Sequence, residues 1–388
     1  MHAVFVFDGI SNWVFRAKLT AAPLYSATPR LFGCAVAIFD NTIVVGAKHY
    51  DTAEDKPDAG QAFVFVRSGT PSAGTWSLQA NLTANDSSIN SEFGHAVDIW
   101  GDRIVVGAPK DVGYTADIYG KGATYVFDRL GDVWAQSQKL VAPYNYSAHD
   151  RFGACVGVSP EFIVGGNTGT LTTSRANIFV FGFNTTTSSW AWVQRIQAMY
   201  WLGPAPVNQT KAYSFATSCA ISNQTLIIGA PDTNYNPYSG ETWGAAYIYD
   251  RNASTAATLA PFQYTQELRG AYADINAKFG TSVDIVGDRA IVGSPLWGCF
   301  CGPLFTQPDW ATSRSGAAVT FRRNGSAWDV AEFHVPARPL GIASTSGFRF
   351  GTSVALDNSV GPNSPGTMLV GASSANSSAG LAFARLTA

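Results

Sequence analysis

Charge is what this 388-residue chain has least of: Asp, Glu, Lys and Arg together make up 13% of it, against about 25% in an ordinary soluble domain. The formal net charge is −2 and no basic block occurs, which removes the electrostatic case for nucleic acid. Long apolar runs are absent as well. No stretch approaches the roughly eighteen residues that a membrane-spanning helix needs, so no transmembrane segment is expected within this chain, although a membrane anchor outside it is compatible with the sequence. The N-terminal "MHAVFVFDGISNW" breaks its apolar run at Asp8, too early for the core of a signal peptide. Catalytic signatures are missing too: the five His residues (His2, His49, His95, His149, His334) fall in no metal-ligand spacing, and neither a nucleophile elbow nor a phosphate-cradling glycine loop is present. The expectation is a protein without enzymatic activity, metal or cofactor.

Cysteine is scarce and odd in number, at five. Cys34, Cys155 and Cys219 sit at or next to one recurring place in predicted strands, where a cysteine usually acts as a small buried hydrophobe. Cys299 and Cys301, in "WGCFCG", lie in a loop and are candidates for a disulfide; two thiols without a nearby His make a poor zinc site.

Gly, Ser, Thr and Asn fill the room that charge leaves. Nine Asn residues stand in N-x-S/T acceptors: Asn81, Asn85, Asn145, Asn184, Asn208, Asn223, Asn252, Asn324 and Asn376. Such sites mark solvent-exposed loops of secreted proteins. They point to an extracellular or cell-surface glycoprotein whose signal and first segment lie outside this chain.

One phrase recurs. "LFGCAVAIFDNTIVVGAK" (31–48), "EFGHAVDIWGDRIVVGAP" (92–109) and "KFGTSVDIVGDRAIVGSP" (278–295) are copies, and Phe-Gly or Phe-Ala starts fall at Phe32, Phe93, Phe152, Phe215, Phe279 and Phe350. After each come a short alternating segment, a turn, and an apolar segment ending in Gly-Ala, Gly-Ser or Gly-Gly. A variable loop leads to an aromatic and β-branched third segment, such as "ATYVFD" from Ala123, and a fourth segment usually opens on Trp: Trp13, Trp76, Trp134, Trp192 or Trp328. Pieces of four to nine residues bounded by Gly, Asn, Asp and Ser predict strands and tight turns. A four-strand unit that repeats cannot bury both faces alone, and radial stacking of such sheets gives a β-propeller. The chain therefore reads as one all-β propeller of four-stranded antiparallel blades over 1–388. Residues 3–21 match strands three and four of an incomplete blade. Seven blades are expected with the first incomplete, or six if "WVFRAKL" closes the last one.

These copies resemble the FG-GAP repeat family, found in the propeller heads of integrin α-subunits and in many surface proteins. The resemblance implies an adhesion or ligand-binding role. It also implies calcium in the turn between strands one and two where that turn reads D-x-D-x-D-G, which a hard cation needs for its oxygen shell. Here the turns carry only an isolated Asp40, Asp102 or Asp288, so the calcium function is not carried over. Asp98 and Asp284 share an inner-strand position and read as hydrogen-bonded structural residues, with channel-lining carboxylates as the alternative.

Strand parity puts the 2–3 and 4–1 connections on one face. The long 2–3 loops, 48–60, 110–122, 232–244 and 296–316, are where recognition is expected, since exposed loops on a rigid scaffold carry function. Candidate ligand-binding residues are Asp51, Glu54, Asp55, Tyr114, Tyr119, Trp297, Phe300 and Trp310, with Tyr235 and Tyr238 nearby. The leading reading is recognition of an extracellular protein; carbohydrate binding through exposed aromatics, or an architectural role in a larger surface protein, are the alternatives.

Overall fold

The computed structural model describes residues 4–8, 14–20, 31–69, 74–112, 120–143, 151–168, 176–197, 200–202, 209–234, 242–252, 261–270, 276–298, 315–335, 349–356, 366–372 and 381–387. Among them there is no helix. The chain divides into two compact units, Met1–Ile196 with Ala257–Leu259, and Gln197–Ala256 with Ala260–Ala388.

The first unit begins with a hairpin of β1 (Val4–Asp8) and β2 (Val14–Leu19). Three four-stranded antiparallel sheets follow: β3 (Ala35–Phe39), β4 (Thr42–Ala47), β5 (Gln61–Ser68) and β6 (Thr75–Leu82); β7 (Ala96–Trp100), β8 (Arg103–Ala108), β9 (Ala123–Leu130) and β10 (Val133–Leu140); β11 (Cys155–Val158), β12 (Phe162–Asn167), β13 (Asn177–Asn184) and β14 (Ser189–Gln197). The second unit opens with β15 (Tyr200–Leu202) and β16 (Gln209–Tyr213). It continues with β17 (Ser218–Ser222), β18 (Thr225–Ala230), β19 (Asp232–Asn234), β20 (Ala245–Arg251) and β21 (Phe262–Leu268). Next are β22 (Ser282–Val286), β23 (Arg289–Ser294), β24 (Ala317–Asn324) and β25 (Ala327–His334), and last β26 (Phe350–Leu356), β27 (Gly366–Ala372) and β28 (Leu381–Thr387).

These are β-propeller blades. Five are complete among the described residues, rather than the seven or six expected, because β26–β28 shows three strands and β1–β2 two. The sheet β15–β16–β19 lies outside the repeat, and β19 occupies the start of what reads in sequence as a 2–3 loop.

Each Phe-Gly is the corner of a turn. The amide of Cys34 donates to Leu31 O, that of His95 to Glu92 O and that of Ala154 to Arg151 O, at 3.0–3.2 Å. Phe is the first corner residue and Gly the second, with φ of 87° at Gly33, 86° at Gly94 and 91° at Gly153; that is a type II turn, which needs glycine there. The residue before each Phe is also left-handed, from Leu31 (φ 56°) to Arg349 (φ 54°). The Gly near the end of strand two makes room for the next blade. A Cβ on Gly107 would stand 2.0 Å from Gly153 O, and one on Gly46 2.1 Å from Gly94 O. Strand two of one blade thus lies backbone to backbone on the Phe-Gly turn of the next.

Strand-two side chains such as Ile104, Val105 and Val106 have no exposed surface, each contributing up to about 1.5–3 kcal/mol. At the outer end, Gln138 accepts from Trp190 N and donates to Trp190 O, both at 2.8 Å; Gln266 holds Trp328 the same way at 2.7 and 2.8 Å. In the third complete blade it is Trp190 that is buried, while Trp192, expected at the head of strand four, is exposed. Trp13 lies outside the described residues.

Candidate functional site

Of the expected recognition loops, the 48–60 loop between β4 and β5 is described along its whole length. Tyr50 is buried, with its ring 5.3 Å from that of Phe63. Asp51 Oδ1 accepts from the backbone N–H of Asp58 at 3.0 Å, where φ is 51°, so Asp51 shapes the loop. The far side of the loop is laced to the connection entering the next blade. Asn90 N donates to Pro57 O, Glu92 N to Asp58 O and Phe93 N to Ala59 O at 3.0–3.2 Å, and Lys56 Nζ donates to Ser87 O at 3.1 Å. Glu54 and Asp55, at the tip, are exposed. This lacing holds residues 56–59 in place.

At the root of this loop stands a polar cluster that sequence reading missed. Glu92, its side chain 9% exposed, accepts from Lys110 Nζ at 2.7 Å and lies 3.2 Å from His95 Nδ1 and 3.4 Å from His49 Nε2. Lys48 Nζ is 3.4 Å from His95 Nδ1. Burial alone would raise the Glu92 carboxyl, but hydrogen bonds from His95 and Lys110, with the Lys110 and Lys48 charges, hold it well below the ordinary glutamate value. Glu92 is therefore ionised at neutral pH and cannot serve there as a general acid. Two lysines around one carboxylate leave the cluster cationic. Glu92 occupies the left-handed position before Phe-Gly, with φ of 55°.

A second cluster lies under the neighbouring loop. Tyr125 Oη donates to Asp111 Oδ2 at 2.7 Å and is 2.8 Å from Asp86 Oδ1. Lys139 Nζ reaches Asp111 Oδ1 at 2.9 Å and Asp86 Oδ2 at 2.5 Å. Burial, with the Asp111 and Asp86 carboxylates, pushes the Tyr125 hydroxyl far up. In the blade of β22–β25 the same slot is apolar: Trp297 replaces Asp111 and Phe333 replaces Lys139, their rings 4.6 Å apart. Trp297 is 8% exposed. As a ligand-facing candidate it is corrected, because it fills the loop's own base.

Tyr114, Tyr119, Tyr235, Tyr238, Phe300, Trp310, Cys299 and Cys301 lie outside the described residues, as do Asn145, Asn208 and Asn376. Asn81, Asn85, Asn184, Asn223 and Asn324 are exposed and Asn252 is half-buried. Cys155 and Cys219 are disulfide-bonded, which corrects their reading as inert small hydrophobes; Cys34 is a free, exposed thiol.

The inner-strand aspartates staple blades. Asp98 accepts from Ile99 N at 2.9 Å and from Val158 N of the next blade at 2.8 Å; Asp284 accepts from Ile285 N at 2.8 Å and Leu356 N at 2.6 Å. In the short turns between strands one and two, an arginine from strand three supplies the positive charge. Arg129 Nε donates to Asp102 Oδ1 at 2.7 Å, and Arg67 Nε to Asn41 Oδ1 at 2.8 Å. Among the described residues no group of three or more His, Cys, Asp or Glu is placed to hold a metal ion, and no helix is long and apolar enough to cross a membrane.

Repeated antiparallel blades, joined by Phe-Gly turns set on Gly-Ala strands, define a propeller-repeat protein. The FG-GAP repeat family model matches residues 13–65 and 76–127; the chain carries FG-GAP repeats. A search of curated proteins returns no match. Among solved structures, the chain is similar to a candidate 6-phosphogluconolactonase from Bacteroides fragilis, at 9% identity and a TM-score of 0.49, over 92% of this chain and 84% of that one.

Proposed function

We propose that this protein is a non-enzymatic binding module of the cell exterior that recognises a protein ligand through the 2–3 loops of one blade face. The carrying observation is the 48–60 loop, laced to the next connection, with Glu54 and Asp55 exposed at its tip and the cationic Lys48–Lys110 cluster at its root. An acidic tip and a basic root suit a partner with complementary charges, which steer encounter and fix register. The disulfide-bonded Cys155 and Cys219 support an oxidising compartment, as do the exposed acceptor asparagines. The FG-GAP repeats support an adhesive or architectural setting.

The test is a screen of the immobilised chain against extracellular protein domains and a glycan array, repeated with Glu54→Ala/Asp55→Ala. A protein partner whose binding the double variant loses, at an unchanged melting temperature, is the expected result. A partner bound equally by both forms removes the loop from the reading, and a response confined to the glycan array replaces protein recognition with carbohydrate recognition.

A further inference from the structure

We infer that Lys139 and Asp111 become joined by an amide bond that the fold itself forms, a covalent cross-link inside the second complete blade. The two side chains meet out of water. Lys139 is 5% exposed and Asp111 2%, with Nζ 2.9 Å from Asp111 Oδ1 and so within reach of the carboxyl carbon. Close approach held by packing is the arrangement that speeds reactions between groups of one molecule. The blade does not need ions at this place. In the blade of β3–β6, Tyr50 stands where Asp111 does and Phe63 where Tyr125 does, their rings 5.3 Å apart. In the blade of β22–β25, Trp297 and Phe333 fill the places of Asp111 and Lys139. Buried charges gain little or nothing in stability over apolar groups of similar volume, so packing alone gives no reason for the exchange. A neutral amide removes both charges from the interior.

Four groups close a ring around the reacting atoms. Lys139 Nζ lies 2.5 Å from Asp86 Oδ2, Asp86 Oδ1 lies 2.8 Å from Tyr125 Oη, and Tyr125 Oη donates to Asp111 Oδ2 at 2.7 Å. Burial works against the charge on Lys139, but hydrogen bonds to Asp86 and Asp111, with their charges, hold it as an ammonium at rest. An ammonium is no nucleophile, and Asp86 is the general base that frees the lone pair. The proton it takes passes through the Tyr125 hydroxyl to Asp111 Oδ2. Nζ then attacks Asp111 Cγ, a second proton leaves Nζ by the same route, and the Cγ–Oδ2 bond breaks. Both protons end on Oδ2, which departs as water, while Oδ1 stays as the amide oxygen. Ammonium and carboxylate together supply every atom of the amide and the water, so no oxidant or other co-reactant enters. Asp86 is 38% exposed, so the ring opens to solvent on its side and the water has an exit.

The test is a tryptic digest of the reduced, deglycosylated full chain, taken from protein that melts cooperatively. The expected product is one branched peptide joining the segments that hold Asp111 and Lys139, lighter than their sum by one water, with no cleavage after Lys139. Asp111→Asn is expected to give a branched peptide of the same mass, because it loses ammonia instead of water, and Lys139→Arg to give none. Asp86→Asn keeps both linked residues but removes the base, and is expected to slow linkage in newly folded chain by about tenfold or more. Two linear peptides of full mass from the folded wild type overturn the inference, and so does a branched peptide that persists in Lys139→Arg. Linkage at the wild-type rate in Asp86→Asn overturns the proton relay.

Discussion

Phe215 is followed by alanine where the other repeats place glycine, and Ala216 takes φ of 63° in full burial. The left-handed region costs an ordinary residue about 1–2 kcal/mol, so Ala216→Gly is expected to stabilise the protein by about 1 kcal/mol in denaturant unfolding. Gly107→Ala goes the other way: its Cβ meets a backbone carbonyl that has nowhere to move, and a loss of more than about 3 kcal/mol is expected. Titration gives a second residue-scale test. Asp284 keeps some surface, yet the protein around it is dense enough that burial, opposed by hydrogen bonds from Leu356 and Ile285, pushes its carboxyl up to about 6. The unfolded group titrates near 4. The native state therefore binds the extra proton between those values, so this group's contribution to stability is fullest below about pH 4, falls as pH rises to about 6, and is flat above. Relative to Asp284→Asn, the wild type should lose about 2–3 kcal/mol between pH 4 and 7; a constant difference would show that Asp284 does not titrate there.

At the level of the strand, the outer edge of each seam depends on one amide side chain. Gln266 makes two hydrogen bonds to the backbone of Trp328 on the next blade, and Gln266→Ala leaves both groups to find water at the rim. A loss of about 1–3 kcal/mol is expected, measured by urea unfolding, with Gln138→Ala behaving alike. Strand existence and order were legible because turn residues and β-branched runs repeat with the same spacing; "TIVVGA" and "ATYVFD" open the strands that form. The strand-four residue in the third complete blade was not. "WAWVQRIQ" offers two tryptophans two apart on the same face, and only the cross-blade clasp of Gln138 selects Trp190. Trp297 was misjudged for a related reason. It is the fourth residue after Gly293, the place Asp111 holds after Gly107, and in both the carbonyl accepts from the glycine that ends the loop. It belongs to the repeat, although a long loop surrounds it. Glu92 was passed over because one carboxylate before Phe-Gly carries no motif; its meaning comes from Lys110 and His49, which are distant in sequence.

Over the whole molecule, the oxidation state of cysteine is the clearest handle. Cys155 and Cys219 are expected to resist thiol labelling until reduction, while Cys34, not disulfide-bonded but with its thiol pushed up in pKa by burial, is labelled slowly without it, as labelling followed by mass mapping would show. Reduction should lower stability by about 2–4 kcal/mol; immediate labelling of all three would contradict the bonded state. The contact between the Gly of Gly-Ala and the next Phe-Gly turn has a wider meaning. Because it is made by main chain and glycine, it reads the same at Gly46, Gly107, Gly229 and Gly293, whatever side chains the blades carry elsewhere. These four seams share one plug and one socket. A gene coding for such a chain can gain or lose a whole repeat by unequal recombination, and the new neighbours will already fit.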